Sequence, residues 1–229
     1  MTSCTDQTDL PKGLSRPIYD TPYYVVDKKE VKTPCEAVGI PARFAGYTFK
    51  TLEEMGVPSE LLPAFANSKA YAEKLNAHIS RGEGIIFRGG VGTMKTTLAV
   101  CIMREAMKQG LSTYFVSLVN LMDDFFSLDE EERAKLQRKL STVKLLVLDD
   151  LGQEYGKEDS WIKTKIRAIV NERYNARKAT IYTTNLMRGS ITKAGYLTSM
   201  LDRISHCCYI INCKGKSQRK PLKFLESEK

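Results

Sequence analysis

The apolar run Ile85-Ile86-Phe87 leads into Gly89-Gly90-Val91-Gly92-Thr93-Met94-Lys95-Thr96, after which Thr97 opens a stretch of helical periodicity reaching Gln109. A short apolar run, a burst of glycines and then a helix pattern reads as a buried strand turning sharply into a helix. Gly89, Gly90 and Gly92 let the backbone curl so that its N–H groups face inward. The helix N-terminus behind them adds positive potential, which makes the turn a cradle for phosphate. In the pattern G-x-x-x-x-G-K-[ST], Lys95 reaches the β- and γ-phosphates and the Thr96 hydroxyl holds Mg²⁺. Gly89 through Thr97 is therefore the candidate nucleotide-binding run, with ATP and Mg²⁺ as the implied ligands. Met94 departs from the pattern, because it stands where the last glycine belongs. It fits if that residue adopts the ordinary dihedrals of a first helical turn.

A second element supports the first. Lys144-Leu145-Leu146-Val147-Leu148-Asp149-Asp150 is an apolar strand ending in two carboxylates, about fifty residues after the loop. Ligands of parallel α/β sheets sit at the C-terminal ends of the strands. There Asp149 is a candidate Mg²⁺ ligand and Asp150 a candidate general base for water. Thr183-Thr184-Asn185 closes a further strand, and the Asn185 amide can orient water or meet a γ-phosphate.

Between these motifs the chain alternates. A helix is expected over Ser68–Arg81, another over Lys95–Gln109 with Gly110 as its C-cap, and a broken one over Leu118–Leu140. A fourth is expected over Ile162–Arg177. Strands are expected at 85–87, 113–116, 143–148, 180–183 and 207–211. That order predicts an α/β fold with a five-stranded parallel sheet flanked by helices. Residues 1–38 hold Pro11, Pro17, Pro22 and Pro34 and read as an extended arm, with one short strand near Val25-Val26. Residues 39–213 form the core, and 214–229 a basic tail.

The net charge of +8 favours a polyanionic partner. It gathers in the tail (Lys214, Lys216, Arg219, Lys220, Lys223) and in the helix carrying Lys163, Lys165, Arg167, Arg173, Arg177 and Lys178, both equally readable as solvated faces. No apolar run is long enough to span a membrane, and Met1–Leu10 lacks the order of a secretory signal, so a cytoplasmic location is expected. The six cysteines read as free thiols. A metal at Cys207, Cys208 and Cys213 is disfavoured, since a strand turns adjacent side chains to opposite faces.

Gly39-Ile40-Pro41-Ala42-Arg43-Phe44, Tyr47-Thr48-Phe49, the glycine loop, Leu145–Gly152, Arg173-Tyr174 and Thr183-Thr184-Asn185-Leu186 together resemble the DnaC/DnaI helicase loaders. The transposition helper IstB belongs to the same clade of AAA+ ATPases, which is related to the initiator DnaA. The resemblance covers residues 39–213. It implies an AAA+ core with the fourth strand between the first and third, and no C-terminal helical lid or sensor-2 arginine. It makes Asn185 the sensor-1 residue, places Phe44–Phe49 beside the adenine, and assigns single-stranded DNA contact to the helices over Leu118–Leu140. The acidic centre Asp129–Glu132 departs from a DNA-binding surface. Arg203 matches the arginine that loaders present to the ATP of a neighbouring subunit, which implies an ATP-dependent homo-oligomer. The implied partners are a replicative hexameric helicase and single-stranded DNA.

Asp150 replaces the commoner glutamate and is one methylene shorter, which implies slow hydrolysis suited to a switch. Other readings are an IstB-like helper of a transposase, or a nucleotide-dependent DNA-binding scaffold without hydrolysis, for which Met94 is the argument. A small-molecule kinase would need an arginine-rich lid after the core.

Overall fold

A computed structural model describes residues 24–26, 30–152, 160–186 and 198–219. Two short antiparallel strands, β1 (Tyr24–Val26) and β2 (Glu30–Lys32), come first. Three short helices follow, α1 (Pro34–Ala37), α2 (Ala42–Ala45) and α3 (Phe49–Met55), and then α4 (Leu62–Glu73) and α5 (Leu75–Arg81). The main body continues with β3 (Gly84–Gly89), α6 (Lys95–Lys108), β4 (Thr113–Ser117), α7 (Leu118–Ser127), α8 (Glu130–Thr142) and β5 (Leu145–Asp149). It closes with α9 (Ser160–Asn175), β6 (Ala179–Thr184), α10 (Thr198–Cys207) and β7 (Cys208–Cys213).

The five strands of the main sheet are parallel and lie in the order β4-β5-β6-β3-β7. This is the expected α/β architecture, with the fourth strand between the first and third. The two-residue period of the strands divides the core in two. Ile85, Phe87, Phe115, Leu145, Val147 and Ile181 face α4, α5 and α6. Ile86, Val116, Leu146, Leu148 and Tyr182 face α7, α8, α9 and α10. With both faces covered, Ile85–Phe87 of β3 and Leu145–Leu148 of β5 read as continuous apolar runs. Strand β6 instead interleaves Thr180, Thr183 and Thr184, and the edge strand β7 leaves Tyr209 and Ile210 exposed. The parallel order also brings the ends of β3, β5 and β6 to one edge, the edge that carries the glycine loop, Asp149 and Asn185.

Several local expectations are corrected. The helix expected over Ser68–Arg81 is two helices, broken at Lys74 (φ −107°, ψ 24°), and the first begins earlier, with Pro63 in its opening turn. The extended arm does not reach residue 38. Thr33 and Glu36 form a reciprocal capping box on α1, and Cys35 is buried in the core. Arg104 of α6 fastens this region by donating from Nη1 to the Ala45 carbonyl and to Cys35 Sγ.

Arg173 is not on a solvated face. It is 1% exposed and donates to Thr180 Oγ1 and to the carbonyls of Leu140, Val143 and Ala179. One planar guanidinium thus ties the end of α8 and the approach to β5 to the start of β6. Burial lowers its pKa to about 10.

The acidic centre of the 118–140 region has a local explanation. Asp129 caps α8 by accepting from the Glu132 N–H, and Glu130, Glu131 and Glu132 fill the first turn, where carboxylates offset the helix dipole. Cys207 ends α10 instead of opening the strand. Its Sγ lies 3.8 Å from that of Cys208, and among the described residues no group of three potential metal ligands forms.

Candidate functional site: a phosphate-loop cleft

Strand β3 ends at Gly89, and the chain turns through Gly90–Thr93 before α6 starts at Lys95. The turn is held from within: Thr93 Oγ1 donates to the Gly90 carbonyl at 2.9 Å, and Lys95 Nζ donates to the same oxygen at 2.6 Å. Gly92 has φ +76°, the left-handed region that glycine enters freely. Met94 is left-handed as well (φ 64°, ψ 12°) and sits at the N-cap of α6. This corrects the expectation of ordinary first-turn dihedrals. The glycine position of the pattern has a geometric cause, and methionine meets it at a cost of about 1–2 kcal/mol. Its side chain also packs against the core, which offsets part of that cost.

Facing the loop, Asp149 is buried at the end of β5. Its Oδ1 accepts from Thr96 Oγ1 at 2.9 Å and from Thr183 Oγ1 at 2.7 Å. Burial is the main reason that its pKa rises to about 6, against the two hydroxyl donors, which pull it down. Burial also holds the Lys95 ammonium below the ordinary lysine value. Asp150 is left-handed (φ 62°), a conformation that aspartate tolerates.

The two threonines of β6 build the Asp149-Asp150 turn. The Asp150 N–H donates to Thr183 Oγ1, the Leu151 N–H to the Thr183 carbonyl, and Thr184 Oγ1 to the Leu151 carbonyl. Thr183 thus fixes both Asp149, through its hydroxyl proton, and Asp150, through its oxygen. Sequence reasoning recognised the Thr-Thr-Asn run but assigned work only to Asn185. The signal was available: two hydroxyls at the end of a buried strand need partners.

These residues converge on one cleft of about 730 Å³, lined by Val91 through Thr97, Asp149, Asp150 and Asn185. The buried Asn185 Oδ1 has no hydrogen-bond partner among the described residues. Arg43, Phe44 and Tyr47 form another wall, with the Arg43 guanidinium 4.9 Å from the Phe44 ring centre. The expected adenine-side segment is shortened here, because Phe49 is a core residue, packed edge-on against Phe65 at 5.7 Å.

The donor set fits a divalent cation. A hydroxyl and a buried carboxylate stand together, and the carboxylate's raised pKa marks a charge that a cation would stabilise. Arg203 does not line the cleft. Its Nη1 donates to the Ser199 carbonyl at 3.1 Å, and its guanidinium lies 6.0 Å from the Tyr174 ring centre.

A family model, IstB-like ATP binding protein, matches residues 69–225, which include the loop, Asp149 and Asn185. The chain belongs to this family of ATP-binding proteins. It is 35% identical over 158 residues to the insertion sequence IS5376 ATP-binding protein of Geobacillus stearothermophilus, spanning 66% of this chain and 61% of that one. It is 29% identical over 133 residues to the replicative helicase loader DnaC of Escherichia coli (strain K12), spanning 57% of this chain and 52% of that one. The chain thus spans little more than half the length of these curated relatives.

Among solved structures, the DnaC helicase loader superposes with a TM-score of 0.64 at 27% identity, over 76% of this chain and 100% of that one. Replication initiator DnaA bound to AMPPCP and single-stranded DNA superposes with a TM-score of 0.59 at 22% identity, which marks a common AAA+ fold.

Proposed function

We propose that this chain is an ATP-dependent loader that places a replicative hexameric helicase on single-stranded DNA in the cytoplasm, using slow ATP hydrolysis as a release switch. The observation that carries the reading is the Thr96–Asp149–Thr183 chain of hydroxyl and carboxylate, which faces the phosphate loop across one cleft. In this reading the loop N–H groups of Gly89–Thr97 and the Lys95 ammonium bind the β- and γ-phosphates. Thr96 and Asp149 would hold Mg²⁺, which when bound would supply neutralisation of phosphate charge.

Asp150 takes a proton from the attacking water, and the free Asn185 carbonyl oxygen accepts a hydrogen bond that orients it. Thr183 keeps the Asp149 carboxylate and the Asp150 backbone in place. Arg203, which does not line its own cleft, acts on the ATP of a neighbouring copy, so the complete site forms only in an oligomer. Hydrolysis then loosens the assembly and releases the partner. The left-handed Met94 preserves the turn of the loop, which favours turnover over the scaffold reading.

The test is turnover by mixed variants. Lys95→Ala and Arg203→Ala are each expected to be inactive, while their mixture regains activity, because a wild-type loop meets a wild-type arginine across the interface. Two inactive variants that stay inactive when mixed would remove the intersubunit site. For the partner, the protein is expected to be retained by the hexameric helicase with ATP present. A second reading, an IstB-like helper of a transposase, is favoured by the higher identity to the IS5376 protein. Retention by a transposase and not by the helicase would establish it.

A further inference from the structure

After β7 the chain does not leave the molecule. Gly215 (φ +121°) turns it past Glu60, and residues 217–219 return to the phosphate loop. The Gln218 N–H donates to the Gly92 carbonyl at 2.9 Å. Ser217 lies so close that a Cβ on Gly92 would stand 2.1 Å from its Oγ. The Arg219 N–H donates to Ser217 Oγ at 3.3 Å, and Gln218 Nε2 donates to the Lys216 carbonyl at 2.9 Å. The turn is therefore ordered by its own hydrogen bonds as well as by the loop. Gln218 and Arg219 line the same cleft as Lys95, Asp149 and Asp150.

Two cations, Lys95 and Arg219, thus face one cleft from separate elements, and Arg43 faces it from a third. Asp149 and Asp150 line the same cleft and offset part of the cations' mutual repulsion, and an anion of several charges lying among the three cations would favour the arrangement further. A guanidinium presents a planar fork of N–H donors that matches a phosphate at two points, where an ammonium offers a point charge. The Gln218 contact with Gly92 sets the distance between this fork and the loop.

We propose that residues 214–219 are a strap of the nucleotide site, and that Arg219 is a second cation of the same subunit, placed beside Lys95 to bind the terminal phosphates of ATP. The proposal rests on the ATP reading above. It assigns to the tail a different task from the DNA contact that its charge alone suggests, and a different partner from that of Arg203, which serves a neighbouring copy.

The experiment measures equilibrium binding of ATP and AMP, with Mg²⁺, to the full chain and to Arg219→Ala, Arg219→Lys, Gln218→Pro and Lys95→Ala. A charge-assisted phosphate contact predicts that Arg219→Ala weakens ATP binding by about tenfold or more. AMP, which lacks the terminal phosphates, should bind Arg219→Ala and wild type alike. Arg219→Lys should recover part of the loss. Gln218→Pro, which removes the N–H donor to Gly92 and leaves Arg219 in place, should also weaken ATP binding. Thermal melting without nucleotide should be unchanged in Arg219→Ala, since Arg219 is exposed.

If Arg219→Ala binds ATP as wild type does while Lys95→Ala loses it, the strap is no part of the site and the proposal falls. Tighter binding by Arg219→Ala would also overturn it, by making the strap an obstruction. If wild type binds no ATP, the underlying reading fails first and takes the proposal with it.

Discussion

Asp149 offers the sharpest test of the cleft, because its two tasks pull in opposite directions. Its pKa rises from 3.8 to about 6 on folding, mainly through burial. Below about pH 4 the carboxyl is protonated in both folded and unfolded chains, so the shift has no effect on stability. As pH rises from about 4 to 6 the unfolded chain releases its proton first, and the folded state loses stability. A shift of about two units is on the order of 3 kcal/mol of destabilisation at neutral pH.

Asp149→Asn removes the charge and leaves an Oδ1 that can still accept from Thr96 and Thr183. In EDTA and without nucleotide, urea unfolding should find the variant more stable than wild type at pH 8. The difference should shrink toward pH 4, where wild type is neutral too. Adding Mg-ATP should reverse the order: at a thousandfold excess over its Kd a ligand contributes about 4.1 kcal/mol to wild type, while the variant gains little. A variant that is less stable than wild type at pH 8, or a difference independent of pH, would refute the burial argument.

Arg173→Ala should destabilise the fold by about 3 kcal/mol or more, since it strands the carbonyls of Leu140, Val143 and Ala179 in the interior; urea melts measure this. At Met94 relief of the left-handed strain and loss of packing nearly cancel. Met94→Gly should therefore change stability by less than about 1 kcal/mol, while Met94→Val, β-branched at positive φ, should lower it by more than about 1 kcal/mol. Thr183→Val keeps the strand but removes the hydroxyl that holds the Asp149 carboxylate and the Asp150 backbone N–H. Turnover should fall by about tenfold or more with a smaller change in ATP affinity, read by steady-state kinetics beside equilibrium binding.

The sheet was legible because strand and helix periods differ, and because the doubly covered strands β3 and β5 carry uninterrupted apolar runs. The glycine turn and the place of Asp149 opposite it were legible because backbone curvature restricts residue types, and because a parallel sheet brings the ends of its strands to one edge. Boundaries were less so. Nothing in Ser68–Arg81 signals the break at Lys74, where no glycine or proline intervenes, and the helical pattern continues across it. Arg173 was misread because a buried guanidinium that answers carbonyls looks, in sequence, like any other basic residue of an exposed helix. At Thr183 the need for a partner is legible, but the partner itself, Asp149, lies 34 positions away. Arg219 hides for another reason: the turn that carries it meets the loop through Gln218 and Gly92, more than a hundred positions apart, which only the folded chain brings together.

The central claim is that this cleft binds Mg-ATP through the loop and Lys95. Calorimetric titration of wild type and Lys95→Ala with ATP, in Mg²⁺ and again in EDTA, tests it most directly. Wild type should bind with one site per chain and lose much of its affinity in EDTA, and Lys95→Ala should bind weakly in both. Equal binding by wild type and Lys95→Ala, or no heat with wild type in Mg²⁺, would contradict it.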